Sequence, residues 1–255
     1  MSGIAGLAPI PMYLAITKNE SAYVAKMAKT DPAGQAAVAY FQKQAPTITS
    51  PAALLKDYRS LQVVLGAFGM SGQISETGLL KDLMTQNPSD PKSFAQQSAN
   101  PVYQRFAQFM SNWTTSPLAN AQTVQTIVSQ YQTNQFEQAQ GQQMPGMQQA
   151  LYFARTISSA TSINAIMSDP TLLSVVETVT GQPVQFGLLG FTQQQAILTK
   201  AVDVTKFQNP DYVKQYVEHY LALTQQNPPA SNAPATVLDL FGAGSSSGGS
   251  LSLLA

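Results

Sequence analysis

The chain has 255 residues, of which 44% are hydrophobic, enough for one large core or two small ones. Only 10% are charged, against a usual share of about 25%, and 13 basic residues balance 13 acidic ones. That balance argues against a nucleic-acid module and against a polybasic membrane-surface patch, and the absence of cysteine excludes disulfides, thiolate nucleophiles and Cys-ligated metals.

The missing charge is replaced by Gln, Ser, Thr and Asn, with Gln densest between Gln122 and Gln149. A neutral polar surface weakens charge-steered binding and lowers colloidal solubility. Life in an assembly fits this composition, and so does a monomer that shares a compositional habit of its genome. Met1 to Ile10 lacks the basic start of a cleavable signal peptide, and no apolar run approaches the roughly 18 residues of a membrane helix. The expected location is the cytoplasm, or the outside by a route that needs no cleaved signal.

In chain order, Met12 to Lys29 reads as a first helix, broken at Asp31-Pro32, and Pro32 to Gln44 as a second. Ser50-Pro51 is an N-cap followed by a first-turn proline. Leu54, Tyr58, Leu61, Leu65 and Phe68 then recur at helical spacing to Gly69, a residue type suited to a left-handed helix end. Ser75-Glu76-Thr77 opens a helix with Leu79, Leu80, Leu83 and Met84 as its apolar face. Ser89-Asp90-Pro91 opens a short one, with Asp90 favouring its positive end. Asn100-Pro101 starts another, striped by Tyr103, Phe106, Met110 and Trp113.

Beyond Ser116-Pro117 comes a long, Gln-rich, nearly uncharged helix, Ala119 to Gln140, with a thin stripe of Val124, Ile127, Val128, Tyr131 and Phe136. Gly141 and Pro145 should interrupt it before Met147 to Ile157 resumes. Such a helix suits a bundle contact or serves as a connector. The second half echoes the first. Asp57-x-x-x-Leu61-x-Val63-Val64 has a counterpart in Asp169-x-x-x-Leu173-x-Val175-Val176, and Asn100-Pro101-x-Tyr103 in Asn209-Pro210-x-Tyr212. The echo reads as a degenerate duplication of a small helical unit, or as two chance matches. From Asn227 the chain is linker-like, and Gly242 to Ser250 should be disordered. The apolar word Val237 to Phe241 between them could dock on a partner, pack back on its own domain, or do neither.

The expected fold is all-α, an irregular multi-helix bundle. Its units are 1–116, carrying the motif around Leu61; 117–226, the Gln-rich helix and a second helical unit; and 227–255, the tail. No catalytic, cofactor-binding or metal-binding residue is assigned. His219, the only histidine, has no partner in sequence reach and reads as a structural residue near a helix C-terminus. Asp57, Asp82, Asp90, Glu137, Asp169 and Glu177 show no spacing that builds an acid/base dyad or a cation cage. Asp57 and Arg59, two apart on one helix, should each meet another helix instead. Gly242-Ala243-Gly244-Ser245 lacks the strand, lysine and helix of a phosphate loop.

The segment Leu54-x-x-Asp57-Tyr58-Arg59-x-Leu61-x-Val63-Val64-Leu65-x-Ala67-Phe68-Gly69-Met70 resembles the signature of the bacterial family catalogued as domain of unknown function 1217. Asp90-Pro91-x-Ser93-Phe94-Ala95, Tyr103-x-x-Phe106-Ala107-x-Phe109 and Phe136-Glu137-x-Ala139-x-Gly141-x-Gln143 with Met147-x-x-Ala150-Leu151 are similar to its later blocks, as is Gln193 to Leu223. The resemblance implies an all-helical protein whose genes often sit in flagellar clusters, and it carries no catalytic residues. The function expected is therefore a non-enzymatic structural or assembly protein of the flagellum, acting by helix-mediated contacts with protein partners or with itself. A cytoplasmic helix-binding module or export chaperone is the alternative, and an enzyme with a non-standard site a third.

Overall fold

A computed structural model describes residues 7–226. These residues form fourteen α-helices and, among them, no strand. The expectations for Val237 to Phe241, for the Gly242 to Ser250 run and for the first residues lie outside the described part. The first half contains α1 (Pro9–Lys18), α2 (Glu20–Thr30), α3 (Pro32–Gln44), α4 (Pro51–Lys56), α5 (Tyr58–Phe68), α6 (Thr77–Thr85), α7 (Phe94–Gln97) and α8 (Pro101–Met110). The second contains α9 (Ala121–Gln143), α10 (Met147–Thr156), α11 (Ile163–Met167), α12 (Pro170–Val179), α13 (Phe191–Ala201) and α14 (Pro210–Gln226).

Four boundaries differ from the sequence reading. The helix expected over Met12 to Lys29 breaks at Asn19, whose φ of −151° leaves the helical region. Asn competes with the helix for its own backbone, so a polar interruption there divides α1 from α2. The helix expected from Pro51 to Phe68 breaks at Asp57, which caps α5: its carboxylate accepts from the Ser60 amide at 3.3 Å and from the Ser60 hydroxyl at 2.7 Å. The short helix near Asp90 starts later, at Phe94, capped by Ser93, while Asp90 accepts from the Lys92 amide in the preceding turn. Gly141 does not interrupt α9. A Cβ there would lie 2.6 Å from Cβ of Gln148, so the glycine lets α9 and α10 cross closely, and the chain turns at Pro145 and at Gly146, whose φ is +82°.

The helix ends follow from local chemistry. Asn100 Oδ1 accepts from the Val102 and Tyr103 amides, and Asn209 Oδ1 from those of Asp211 and Tyr212. Gly69, at φ +74°, closes α5. Its amide reaches the Gly66 carbonyl, and the Met70 amide reaches that of Leu65. Gly181, at φ +66°, closes α12 with the same two bonds, to Thr178 and Glu177.

That match is one of a series. Tyr40, Phe41, Ser50, Asp57 and Gly69 have counterparts in Tyr152, Phe153, Ser162, Asp169 and Gly181, each the same distance along the chain (152 less 40, or 112). Phe41 and Phe153 are both fully buried, Ser50 and Ser162 both cap a short helix, and both tyrosines donate to the paired aspartate. The interrupted pair α1 and α2 occupies the place that the continuous α9 takes in the second half.

Two hydrophobic cores result, and they cut across residue 116. One holds Phe41, Leu54, Leu61, Leu65 and Phe106 together with Val124, Ile127 and Val128 of α9. The other holds Phe153, Leu172, Val217 and Leu221 together with Met12, Tyr13 and Ile16 of α1. Each half thus lends its leading helix to the other half's core. The Gln-rich α9 is a central packing element whose apolar stripe is thin because polar contacts, described next, occupy its other faces.

Candidate functional site

The only charge on α9 is Glu137, and the only charge on α10 is Arg155. They pair at the junction of the halves: Arg155 donates through Nε to Glu137 Oε1 at 2.8 Å and through a terminal nitrogen to Oε2 at 3.0 Å. The same nitrogen donates to Asn134 Oδ1 at 2.7 Å. Asn134 in turn donates to the carbonyls of Gly66 and Ala67 in the last turn of α5, at 2.7 and 2.9 Å. One chain of contacts therefore runs from α10 through α9 to α5. Glu137 is 3% exposed at its side chain and Arg155 31%. Burial by itself lowers the Arg155 guanidinium, but the hydrogen bonds and charge of Glu137 more than offset it and leave the pKa above its ordinary value. Glu20 on α2 is pushed up, first by burial and then by the charge of Glu137.

Beside this network lies a cleft of about 440 Å³. Its walls are the loop Gly69–Gln73, the start of α8, and the Asp169–Thr171 start of α12. Asn100 donates to the Ser168 carbonyl at 2.7 Å and the Ser168 hydroxyl to the Ala99 carbonyl at 3.1 Å, which ties the halves across it. Ala99 is held at φ +53°, a conformation that disfavours a side chain. Tyr152 donates to Asp169 Oδ2 at 2.7 Å, while Asp169 Oδ1 caps α12 by accepting from Thr171 and Leu172. Burial, then the Asp169 charge, raises the Tyr152 hydroxyl pKa. The carboxylates of the cleft are thus committed to fixed partners, and what remains is a neutral hydrogen-bonding surface.

The other acidic residues do not join it. Asp57 accepts from Tyr40 at 3.2 Å, and Arg59 lies over the same ring at 3.8 Å, so both meet α3 as expected. Asp82 lies in α6 and Asp90 in a turn. Glu177 lies in α12 with its pKa raised by burial. Among the described residues no three His, Asp or Glu side chains gather as a cation site would need. His219 lies in α14, seven residues before Gln226, the last of the described residues. The Glu137–Asn134–Arg155 network escaped the sequence reading, although a single charge in each of two consecutive helices was a signal for it.

A second surface is apolar. Among the described residues seven large hydrophobic side chains are exposed, and five fall between Val184 and Ile197. Val184 is 93% exposed, Leu188 86% and Phe191 59%. The ends of α5 and α12 differ in what lies against them: at the end of α5 the Tyr131 ring of α9 lies against Gly66, where a Cβ would come within 2.8 Å, and the Tyr152 ring lies 3.7 Å from a Cβ at Gly69. At Gly181, nothing among the described residues lies within 4 Å of that position. Among the described residues, no helix is long and apolar enough to cross a membrane.

A crystal structure of a protein from Agrobacterium tumefaciens shares this fold, with a TM-score of 0.74 at 20% identity, over 85% of this chain and 93% of that one. No curated protein matches the sequence. A family profile described as protein of unknown function (DUF1217) matches residues 67–213, which include the blocks from Asp90 to Leu151 and leave Leu54 to Gly66 outside. With more than half of its length matched, the chain belongs to the DUF1217 family.

Proposed function

We propose that the protein is a non-enzymatic assembly component of the bacterial flagellum, and that the Val184–Ile197 face takes an amphipathic helix of a protein partner. The observation that carries the reading is the exposure of Val184, Leu188 and Phe191, while most large hydrophobic side chains among the described residues are buried. Exposed apolar clusters of this kind mark interaction sites. The kind of partner follows from the way helices already pack in this chain, as α9 lays an apolar stripe backed by neutral polar residues over α5. The flagellar part rests on the resemblance of the motif blocks to a family whose genes sit in flagellar clusters.

The test is fractionation of a tagged chain between cytoplasm, hook–basal bodies and medium, in wild-type and export-deficient cells, with Leu188→Asp beside the unaltered chain. Basal-body or external signal that disappears without export, and that Leu188→Asp reduces, supports the reading. Confinement to the cytoplasm in both strains overturns it and leaves the export chaperone, which would use the same face. A deletion strain with unchanged flagellar number, length and swimming overturns the flagellar part outright.

A further inference from the structure

Two of the chain's three arginines line one cavity of about 270 Å³. It opens where the halves join, with Arg105 of α8 from the first half and Arg155 of α10 from the second. Phe68 and Phe109 supply an apolar wall, their rings edge to face at 5.5 Å, and Gln130 of α9 adds an amide. None of these residues belongs to the Val184–Ile197 face.

The cavity is short of negative charge. Arg105 makes no ion pair among the described residues, and its Nε is buried there without a hydrogen-bond partner. Arg155 gives Nε and one terminal nitrogen to Glu137 and Asn134, which leaves its other terminal nitrogen without a protein partner among the described residues. Glu137 thus answers one guanidinium of two. A buried donor without a partner is costly, and arginine cannot lose its proton to relieve the cost. The side-chain oxygen of Gln130 is also buried and unpaired among the described residues, and its amide can present either end to a guest. Both guanidinium charges reach the Tyr152 hydroxyl, whose raised pKa each draws back down. Arg155 lines a further cavity as well, but there Lys214 and Glu20 offset each other.

We propose that the cavity binds a small organic monocarboxylate, with its carboxylate between Arg105 and Arg155 and its apolar body against Phe68 and Phe109. The planar fork of a guanidinium matches a carboxylate in shape and charge. Charge selects a monoanion: two guanidinium groups and Glu137 leave one positive charge in excess, which one carboxylate cancels and a doubly charged phosphate overshoots. A ligand held there touches α8 and α10 together, and so ties the halves at a second place besides the Asn100–Ser168 bonds.

The probe is benzoate, titrated into the full-length protein by calorimetry, with benzamide and inorganic phosphate beside it. Arg105→Gln is the informative variant. Arg105 has no ion-pair partner to strand among the described residues, so the ligand-free variant should keep its thermal midpoint. The expected result is saturable benzoate binding, weakened at least about tenfold in Arg105→Gln, as loss of a charge-assisted hydrogen bond requires. Benzamide should not bind, and benzoate should shift the Nε–H resonance of Arg105. That shift is read on the unaltered chain and so locates the site independently of any variant. An absence of saturable binding at millimolar benzoate, equal binding of benzamide or phosphate, an unmoved Arg105 resonance, or unchanged affinity in Arg105→Gln would each overturn the inference.

Discussion

Tyr152 donates to Asp169 at 2.7 Å across 17 residues of chain, and Tyr40 makes the same bond to Asp57 across the same separation. The two pairs differ in what lies over them. Tyr152 and Asp169 form part of the cleft wall beneath the Gly69–Gln73 loop, whereas Tyr40 lies on the surface with Arg59 against its ring. One local device thus serves the inside of the molecule in one half and its exterior in the other.

Breaking the ion pair at the junction should be costly. Glu137→Gln leaves the Arg155 guanidinium without its charge partner, and the expected loss is about 2–4 kcal/mol in urea unfolding, since an uncompensated buried charge is unfavourable. Glu137→Leu/Arg155→Met should lose less than the sum of the two single changes, because neither charge is then stranded. A loss under about 0.5 kcal/mol for Glu137→Gln would mean that solvent at Arg155 screens the pair.

Glycine replacements should separate backbone strain from crowding. Gly181→Ala meets no other side chain among the described residues, so its expected cost is that of φ +66°, about 1 kcal/mol. Gly66→Ala has ordinary helical backbone but meets the Tyr131 ring at 2.8 Å, and should cost about 1–3 kcal/mol through displacement of α9. Thermal unfolding of both variants checks the pair. In Gly66→Ala the Asn134 bonds to α5 should loosen as well, seen as faster amide exchange along the middle of α9.

The α5 stripe supplies an internal control. Leu61→Ala removes a fully packed side chain and should cost about 2–5 kcal/mol. Tyr58, assigned to the same stripe by spacing, is 57% exposed because it opens α5 directly after the Asp57 cap. Tyr58→Ala should change stability by no more than about 0.5 kcal/mol by equilibrium denaturation.

Alkaline pH should unfold the protein. Burial first, and the charges of Glu218 and Glu20 after it, push the Tyr13 hydroxyl up to about 12, and burial pushes Tyr220 to about 12. The folded chain therefore keeps protons that the unfolded chain releases from about pH 10. This contribution to stability is complete below pH 10 and is lost as the pH rises from 10 toward 12. The urea midpoint at pH 11 should fall below that at pH 8, and tyrosinate absorbance near 295 nm should rise together with the loss of helix. An unchanged midpoint would place these hydroxyls in contact with water.

Much of the fold was legible because it rests on short-range chemistry. Asp31-Pro32, Ser50-Pro51, Asn100-Pro101 and Asn209-Pro210 each start a helix where cap and proline predict, and Gly69 ends one. The duplication was visible through Asp57 with Asp169 and Asn100 with Asn209. Asp57 itself was misplaced in mid-helix, because the stripe from Leu54 to Phe68 keeps its phase across the break. The junction site was not legible. Glu137 and Arg155 meet only because α9 and α10 fold back at Pro145-Gly146, and Asn134 finds its acceptors on α5, 68 and 67 positions away. Nor does periodicity reveal that Val128 closes the first core and Ile16 the second.

That exchange of leading helices has a consequence for synthesis. As the chain leaves the ribosome, the first core lacks a wall until Val128 has emerged, and α1 cannot bury Met12 and Ile16 before α10 is made, nor fully before Leu221 of α14 follows. Neither half can finish alone, and the contacts that complete them join distant parts of the sequence. Such closure is slow to nucleate and cooperative once begun. In the nascent protein α1 therefore waits for its partners from α10 to α14, and a chaperone that binds amphipathic helices would find a long-lived target there.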